Sequence, residues 1–138
     1  MDCVFCKIVK EEIPCRRVYE DSDFIVFLDI APVNYGHVLV LPKKHYADFL
    51  ETPDEVLADI AKLIKKIAKA MCHALNTDGF NLILSSNEIA GQIVPHLHFH
   101  LIPRFPGDGL DHWPGKDYKE GEIEEYAKKI KEALEISK

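Results

Sequence analysis

The chain has 138 residues, 47% of them hydrophobic, and its 17 basic and 23 acidic side chains leave a formal net charge of -6. That length suits one domain with a buried core, and the apolar share excludes global disorder. The acidic balance argues against a surface that coats nucleic acid, so a nucleotide partner would be a small ligand in a pocket.

No stretch approaches the roughly 20 apolar residues of a membrane span. Charges interrupt the segment after Met1, which does not read as a secretory signal. A cytoplasmic protein with four reduced cysteines is the expectation.

In chain order, Cys3 to Lys10 reads as a short helix carrying Cys3-x-x-Cys6 and stopped by Pro14. Arg17–Glu20 and Phe24–Leu28, joined at Asp21-Ser22, read as a hairpin of β-branched and aromatic residues. Val38–Leu41 is a third strand, between a loop with Pro32, Asn34 and Gly36 and a stop at Pro42. A long helix is predicted from Thr52 to about Leu75, with Thr52 as N-cap, Pro53 at the first position and Glu55 closing a capping box. Val56, Ile60, Leu63, Ile64 and Ile67 form its apolar stripe, and Lys62, Lys65, Lys66 and Lys69 its solvated face. Phe80–Leu84 is a fourth strand, Ser85–Gln92 a polar loop, and Val94–Ile102 a fifth strand. After a tail rich in Pro and Gly, an amphipathic helix from about Lys119 carries Ile123, Tyr126, Ala127, Ile130 and Leu134. The expected fold is α+β: an antiparallel sheet of about five strands, one long helix and a C-terminal helix. It forms one domain over residues 1–138, with its core at about 3–104.

Within the fifth strand, alternation places His96, His98 and His100 on one face, about 6.5–7 Å apart, and Leu97, Phe99 and Leu101 on the core face. Three readings follow: a polar face without function, a metal site, or nucleophilic catalysis on phosphorus. For the last, a neutral imidazole attacks and a protonated neighbour stabilises charge. Cys3-x-x-Cys6 alone is compatible with a redox pair, a metal half-site or chance.

The run His96-Leu97-His98-Phe99-His100-Leu101-Ile102 has the form His-Φ-His-Φ-His-Φ-Φ, with Φ apolar, and resembles the signature of the histidine triad (HIT) superfamily. Phe27–Pro32, Gly36–His45, Ala90-Gly91-Gln92 and Ile102-Pro103-Arg104 are similar to further segments of that family, in particular the zinc-containing prokaryotic form of its Hint branch. The resemblance implies a nucleotide hydrolase or transferase that cleaves nucleoside 5′-monophosphate phosphoramidates or esters, with a purine nucleotide such as AMP as ligand, through a nucleotidyl-histidine. By that resemblance His98 is the nucleophile, His100 binds a phosphate oxygen and His37 orients the triad. Asp29 takes the ribose hydroxyls, Ile30 and Phe5 lie against the base, and Ser85 and Gln92 lie near the phosphate or leaving group. Where relatives often carry Ser or Thr after the Gln, this chain has Ile93, and Ser85-Ser86 stand where an Asn pair is common.

The resemblance also implies a structural Zn2+ held by Cys3, Cys6, His45 and His96, which reserves His96 from catalysis. It implies a homodimer as well. His112-Trp113-Pro114 is similar to a tail segment that Hint dimers place near the partner's active site; the alternative is Trp113 anchoring the tail to its own core. Two other functions remain open: a Fhit-like dinucleoside polyphosphate hydrolase, and a weakly catalytic nucleotide-binding regulatory protein. Cys15, Cys72 and His73 read as ordinary packing and surface residues.

Overall fold

The structure, a computed structural model, describes residues 2–136. Residues 1–108 and 109–138 form two compact units. In the first, α1 (Val4–Val9), β1 (Arg17–Glu20), β2 (Phe24–Leu28), β3 (Val38–Pro42), α2 (Asp54–Leu75), β4 (Gly79–Ile83) and β5 (Phe99–Arg104) follow in order, with a 3₁₀ turn at Glu88–Ala90. The strands make one antiparallel sheet in the order β1-β2-β3-β5-β4. This is the α+β fold expected from the sequence pattern.

β2 and β3 are buried almost end to end because both sheet faces are covered. Phe24, Val26, Val38, Val40, Leu97, Phe99 and Leu101 pack on one face with Ile60, Leu63, Ile64, Ala68 and Met71 of α2. Ile25, Phe27, Leu39 and Leu41 pack on the other with Cys3, Phe5 and Ile8 of α1. Each strand therefore contributes alternate residues to two cores. The α1 face also carries the site.

Several boundaries differ from expectation. The capping box at Thr52 does not form. Pro53 is the N-cap, without a side-chain cap bond, and the Thr52 hydroxyl donates to the Asp48 carbonyl at 2.7 Å. Asp54 and Glu55 in the first turn still complement the helix dipole. β5 begins at Phe99, five residues later than predicted, because Pro95 has no N–H to donate and the facing strand ends at Pro42, which has none either. His96 and His98 thus precede the ladder, and only His100 lies in it. β4 stops at Ile83, so Leu84 lies outside it.

Before β3 the chain turns at Gly36, with φ +98°; a Cβ there would come within 2.5 Å of Leu75 Cδ1. Only glycine meets both demands.

In the second unit, α3 runs Glu122–Ile136. It starts later than Lys119 because Gly121, at φ +82°, lies outside helical space, and the Lys119 N–H is taken by the Glu122 carboxylate. Ile123, Tyr126, Ile130, Leu134 and Trp113 are exposed. Among the described residues no helix is long and apolar enough to cross a membrane.

Candidate active site and metal centre

The end of β2 lies beside the start of β3, whose Leu39 pairs with His100 at the start of β5. β2 delivers Asp29, whose N–H donates to the His37 carbonyl at 2.9 Å. His37 is buried, with its ring against His100. Asp29 and His100, with α1 and with Gly91, Ile93 and Val94, bound a cleft of about 370 Å³. Its walls are Val4, Phe5, Ile8, Phe27 and Leu39, and its polar groups include Asp29, His98 and His100. An apolar hollow with a few convergent polar groups is the usual form of a small-molecule site.

Hydrogen bonds decide the ring tautomers. The Val33 N–H can only donate, so His37 Nδ1, at 3.1 Å, accepts and Nε2 carries the hydrogen. His37 Nε2 donates to His100 Nδ1 at 2.9 Å and lies 3.6 Å from Asp29 Oδ2. His100 therefore keeps its own hydrogen on Nε2, a donor for an anionic oxygen. His98 has the opposite tautomer. Its Nδ1–H donates to the His96 carbonyl at 2.7 Å, which leaves the Nε2 lone pair bare.

Burial lowers the pKa of His98 and outweighs the opposing pull of the His96 carbonyl and Asp29. Burial, assisted by His98 and His37, takes His100 down to about 4. His37 is lowered by burial as well, partly offset by Asp29. All three rings are neutral at pH 7, one with an exposed lone pair and one with a directed N–H.

Four further donors meet on the other side of α1. Cys3 Sγ lies 3.4 Å from His96 Nδ1, and Cys6 Sγ lies 3.4 Å from His45 Nδ1 and 3.6 Å from His96 Nδ1. All four donor atoms fall within 4.8 Å of one another. Zn–S bonds of about 2.3 Å and Zn–N bonds of about 2.0 Å at a tetrahedral angle set S···N edges of about 3.5 Å, so the spacing fits that ion. His96 Nε2 donates to the Pro42 carbonyl at 2.8 Å, which orients the ring and turns the Nδ1 lone pair toward the sulfurs. A second group, Asp29, His37 and His100, is as closely spaced but does not suit a metal. His37 Nδ1 is taken by Val33, so its Nε2 holds a hydrogen where a ligand needs a lone pair.

The structure brings Phe5, Asp29, Ile30, His98 and His100 to the cleft, with His37 behind them. It does not bring Gln92 there. That side chain is buried, its Nε2 donating to the Ala47 and Val94 carbonyls and its Oε1 accepting from the Asn87 N–H. With every polar atom committed to backbone, Gln92 clamps the loop and does not reach a phosphate. Ser85 is also absent from the cleft wall; its Oγ faces Gly91, where a Cβ would approach to 4.0 Å. Ile13 and Cys15 also line the cleft, and both pack against the core beneath α1, the packing role expected of Cys15. Neither carries a local signal, because the turn after α1 delivers them. Of the group Ile30, Ile93 and Trp113, the first two are cleft residues and all three are at least 90% exposed.

Residues 10–107 match the family model described as the HIT domain. The chain is 44% identical to adenosine 5′-monophosphoramidase hnt1 of Schizosaccharomyces pombe over 95% of its length and 100% of that protein. It is 42% identical to adenylylsulfatase HINT3 of Arabidopsis thaliana, over 79% of the chain and 55% of that protein. Among solved structures it resembles a zinc-bound histidine triad family protein from Mycobacterium smegmatis, with 42% identity, a TM-score of 0.77 and 85% of each chain covered. The chain belongs to the HIT family.

Proposed function

We propose that the protein hydrolyses nucleoside 5′-phosphoramidates or related esters of a purine nucleotide such as AMP, with His98 as nucleophile. That it is a hydrolase follows from relatives named for phosphoramidase and sulfatase activities. The observation that carries the finer assignment is the tautomer of His98: Nδ1–H is held by the His96 carbonyl, so the Nε2 lone pair is free in a cleft of nucleoside size.

On this reading the base lies among Phe5, Ile8, Phe27 and Leu39, and Asp29 at the end of β2 accepts from the ribose hydroxyls. His98 Nε2 attacks phosphorus as the P–N bond breaks. The amine leaves and takes a proton from solvent, because Ile93 at the cleft offers no acid. The His96 carbonyl at Nδ1–H stabilises the cationic imidazole of the nucleotidyl-histidine. Water then attacks phosphorus, the P–N bond to His98 breaks, and AMP and a proton are released. His100 Nε2–H binds a phosphate oxygen throughout, its orientation set by the hydrogen bond from His37.

Zn2+ would be held by Cys3, Cys6, His45 and His96, a closed set that supplies structure and no catalytic position. A reducing cytoplasm keeps both thiols available to it. The partner is a second copy of the chain, for which the apolar groove between α2 and β4, lined by Ile64, Ala68, Phe80 and Leu82, is suited.

Wild type and His98→Ala are compared on adenosine 5′-phosphoramidate and on diadenosine polyphosphates, with AMP release as readout. Wild type is expected to turn over the phosphoramidate, and His98→Ala to lose at least about 10³-fold while keeping its fold. Intact turnover in the variant refutes the nucleophile. Preference for the polyphosphates moves the assignment to a dinucleoside polyphosphate hydrolase, and AMP binding without turnover of either leaves a binding protein.

A further inference from the structure

α1 is shared by the two centres. Cys3 and Cys6 belong to the metal donor set, and Cys3 Sγ also accepts the Cys6 N–H at 3.4 Å as the helix N-cap. Val4, Phe5 and Ile8, between and beyond those cysteines, give their side chains to the nucleotide cleft. Phe5 spans both: its ring meets His98 edge-on at 5.0 Å between centroids, the metal-side His96 at 5.9 Å and Phe27 at 5.8 Å.

A helix of six residues is too short to persist by itself. Its far end is pinned by Arg17 Nη2, which donates to the Ile8 carbonyl at 3.0 Å. The near end is fastened through the cysteines. Without a cation, two sulfurs and two imidazoles within 4.8 Å are joined only by weak thiol–imidazole hydrogen bonds at 3.4–3.6 Å. With one, four bonds lock the turn that positions Phe5 against His98.

We propose that metal loading and nucleotide binding are thermodynamically coupled through α1, with Phe5 as the positioning residue that transmits the coupling. The proposal rests on the zinc and nucleotide assignments above and goes beyond them. A zinc ion tightens AMP binding by preforming one wall of the cleft, and AMP, by packing against that wall, tightens zinc by the same factor. Linkage requires that reciprocity.

The test uses the full-length, zinc-loaded protein. Competition against a colour-forming chelator gives the zinc dissociation constant with and without saturating AMP. Calorimetry gives the AMP dissociation constant with and without zinc. Both are expected to move about tenfold, in the same direction and by the same factor. In Phe5→Ala the two factors shrink toward one while zinc remains bound. Phe5→Leu, which keeps apolar volume but not the ring edge, serves if the alanine variant fails to fold. Zinc and AMP that both bind, with constants independent of each other, overturn the coupling alone. Zinc-loaded protein that does not bind AMP overturns the nucleotide assignment and the coupling with it, and protein that retains no zinc overturns the metal assignment and the coupling likewise. Full coupling in both Phe5 variants overturns the role of Phe5.

Discussion

At His98 and His100, identical side chains two residues apart acquire opposite chemistry from one hydrogen bond each. The His96 carbonyl takes the Nδ1 hydrogen of His98, and the His37 N–H occupies Nδ1 of His100. The low pKa of His100, about 4, makes that arrangement durable against acid. Below its folded pKa the ring would carry hydrogen on both nitrogens and could no longer accept from His37. With His98 also lowered by burial, activity is therefore expected to hold as pH falls through 6.5, the ordinary value for imidazole, and to be lost below it, at the latest near 4 as His100 protonates. A pH–rate profile of kcat/KM checks this; an acid limb centred near 6.5 would contradict it. Stability follows the same sign. Between those values the unfolded chain binds a proton that the folded chain refuses, so His100 makes the fold lose stability as pH falls from 6.5 toward 4. Gln92 makes a separate prediction. Gln92→Ala leaves two carbonyls and one N–H of the loop without these partners, and is expected to cost about 1–3 kcal/mol in a denaturant melt. An unchanged midpoint would mean that water replaces the amide.

Among the elements, α2 supplies one core wall and α1 the other, and their contributions differ in kind. α2 is 22 residues long, and Ile60, at 1% exposure, is the most deeply buried residue of its apolar stripe. Ile60→Ala is expected to cost about 2–5 kcal/mol through lost contacts and the cavity left behind, read as a lowered denaturation midpoint. The cleft lies on the other sheet face, so AMP affinity should hold within a factor of about two in the folded variant. A large loss of affinity would mean that the two faces are coupled through the sheet. α1 buries only Phe5 and Ile8 and depends on its anchors. Its Cys-x-x-Cys was visible at once, but two cysteines could not say whether they formed a redox pair or half a metal site. Three-dimensional proximity to His45 and His96, 39 and 90 residues further on, completes a donor set that could hold a metal.

At the scale of the whole molecule, a zinc ion held by Cys3, Cys6, His45 and His96 would tie the N-terminal helix, the segment after β3 and the segment before β5 into one knot. Removing the ion should therefore unfasten elements that are remote in sequence. With free zinc at about 100 times its dissociation constant, the expected stabilisation is about 2.7 kcal/mol over the metal-free chain. Denaturant melts with and without a strong chelator check it, alongside metal analysis of the purified protein. Equal midpoints would remove zinc as a structural element.

The local pattern of the chain determined much of the architecture. Alternation in Phe24–Leu28 and Val38–Leu41 marked strands, a period near 3.6 marked α2, and the three histidines marked the site, because each signal depends only on neighbours in sequence. The tertiary structure decided what depends on distant backbone. It delayed the start of β5 to Phe99, opposite Val40, because Pro95 and the facing Pro42 have no N–H to extend the ladder. It turned Gln92 inward to the carbonyls of Ala47 and Val94, and it carried Cys15 into the cleft wall. It also assigned the ring nitrogens, because a tautomer is set by the partner a ring meets: Val33 for His37, His37 for His100, Pro42 for His96 and the His96 carbonyl for His98. Residue types and spacing singled out the histidines as candidates; only contacts between distant segments gave each ring its own tautomer and surroundings.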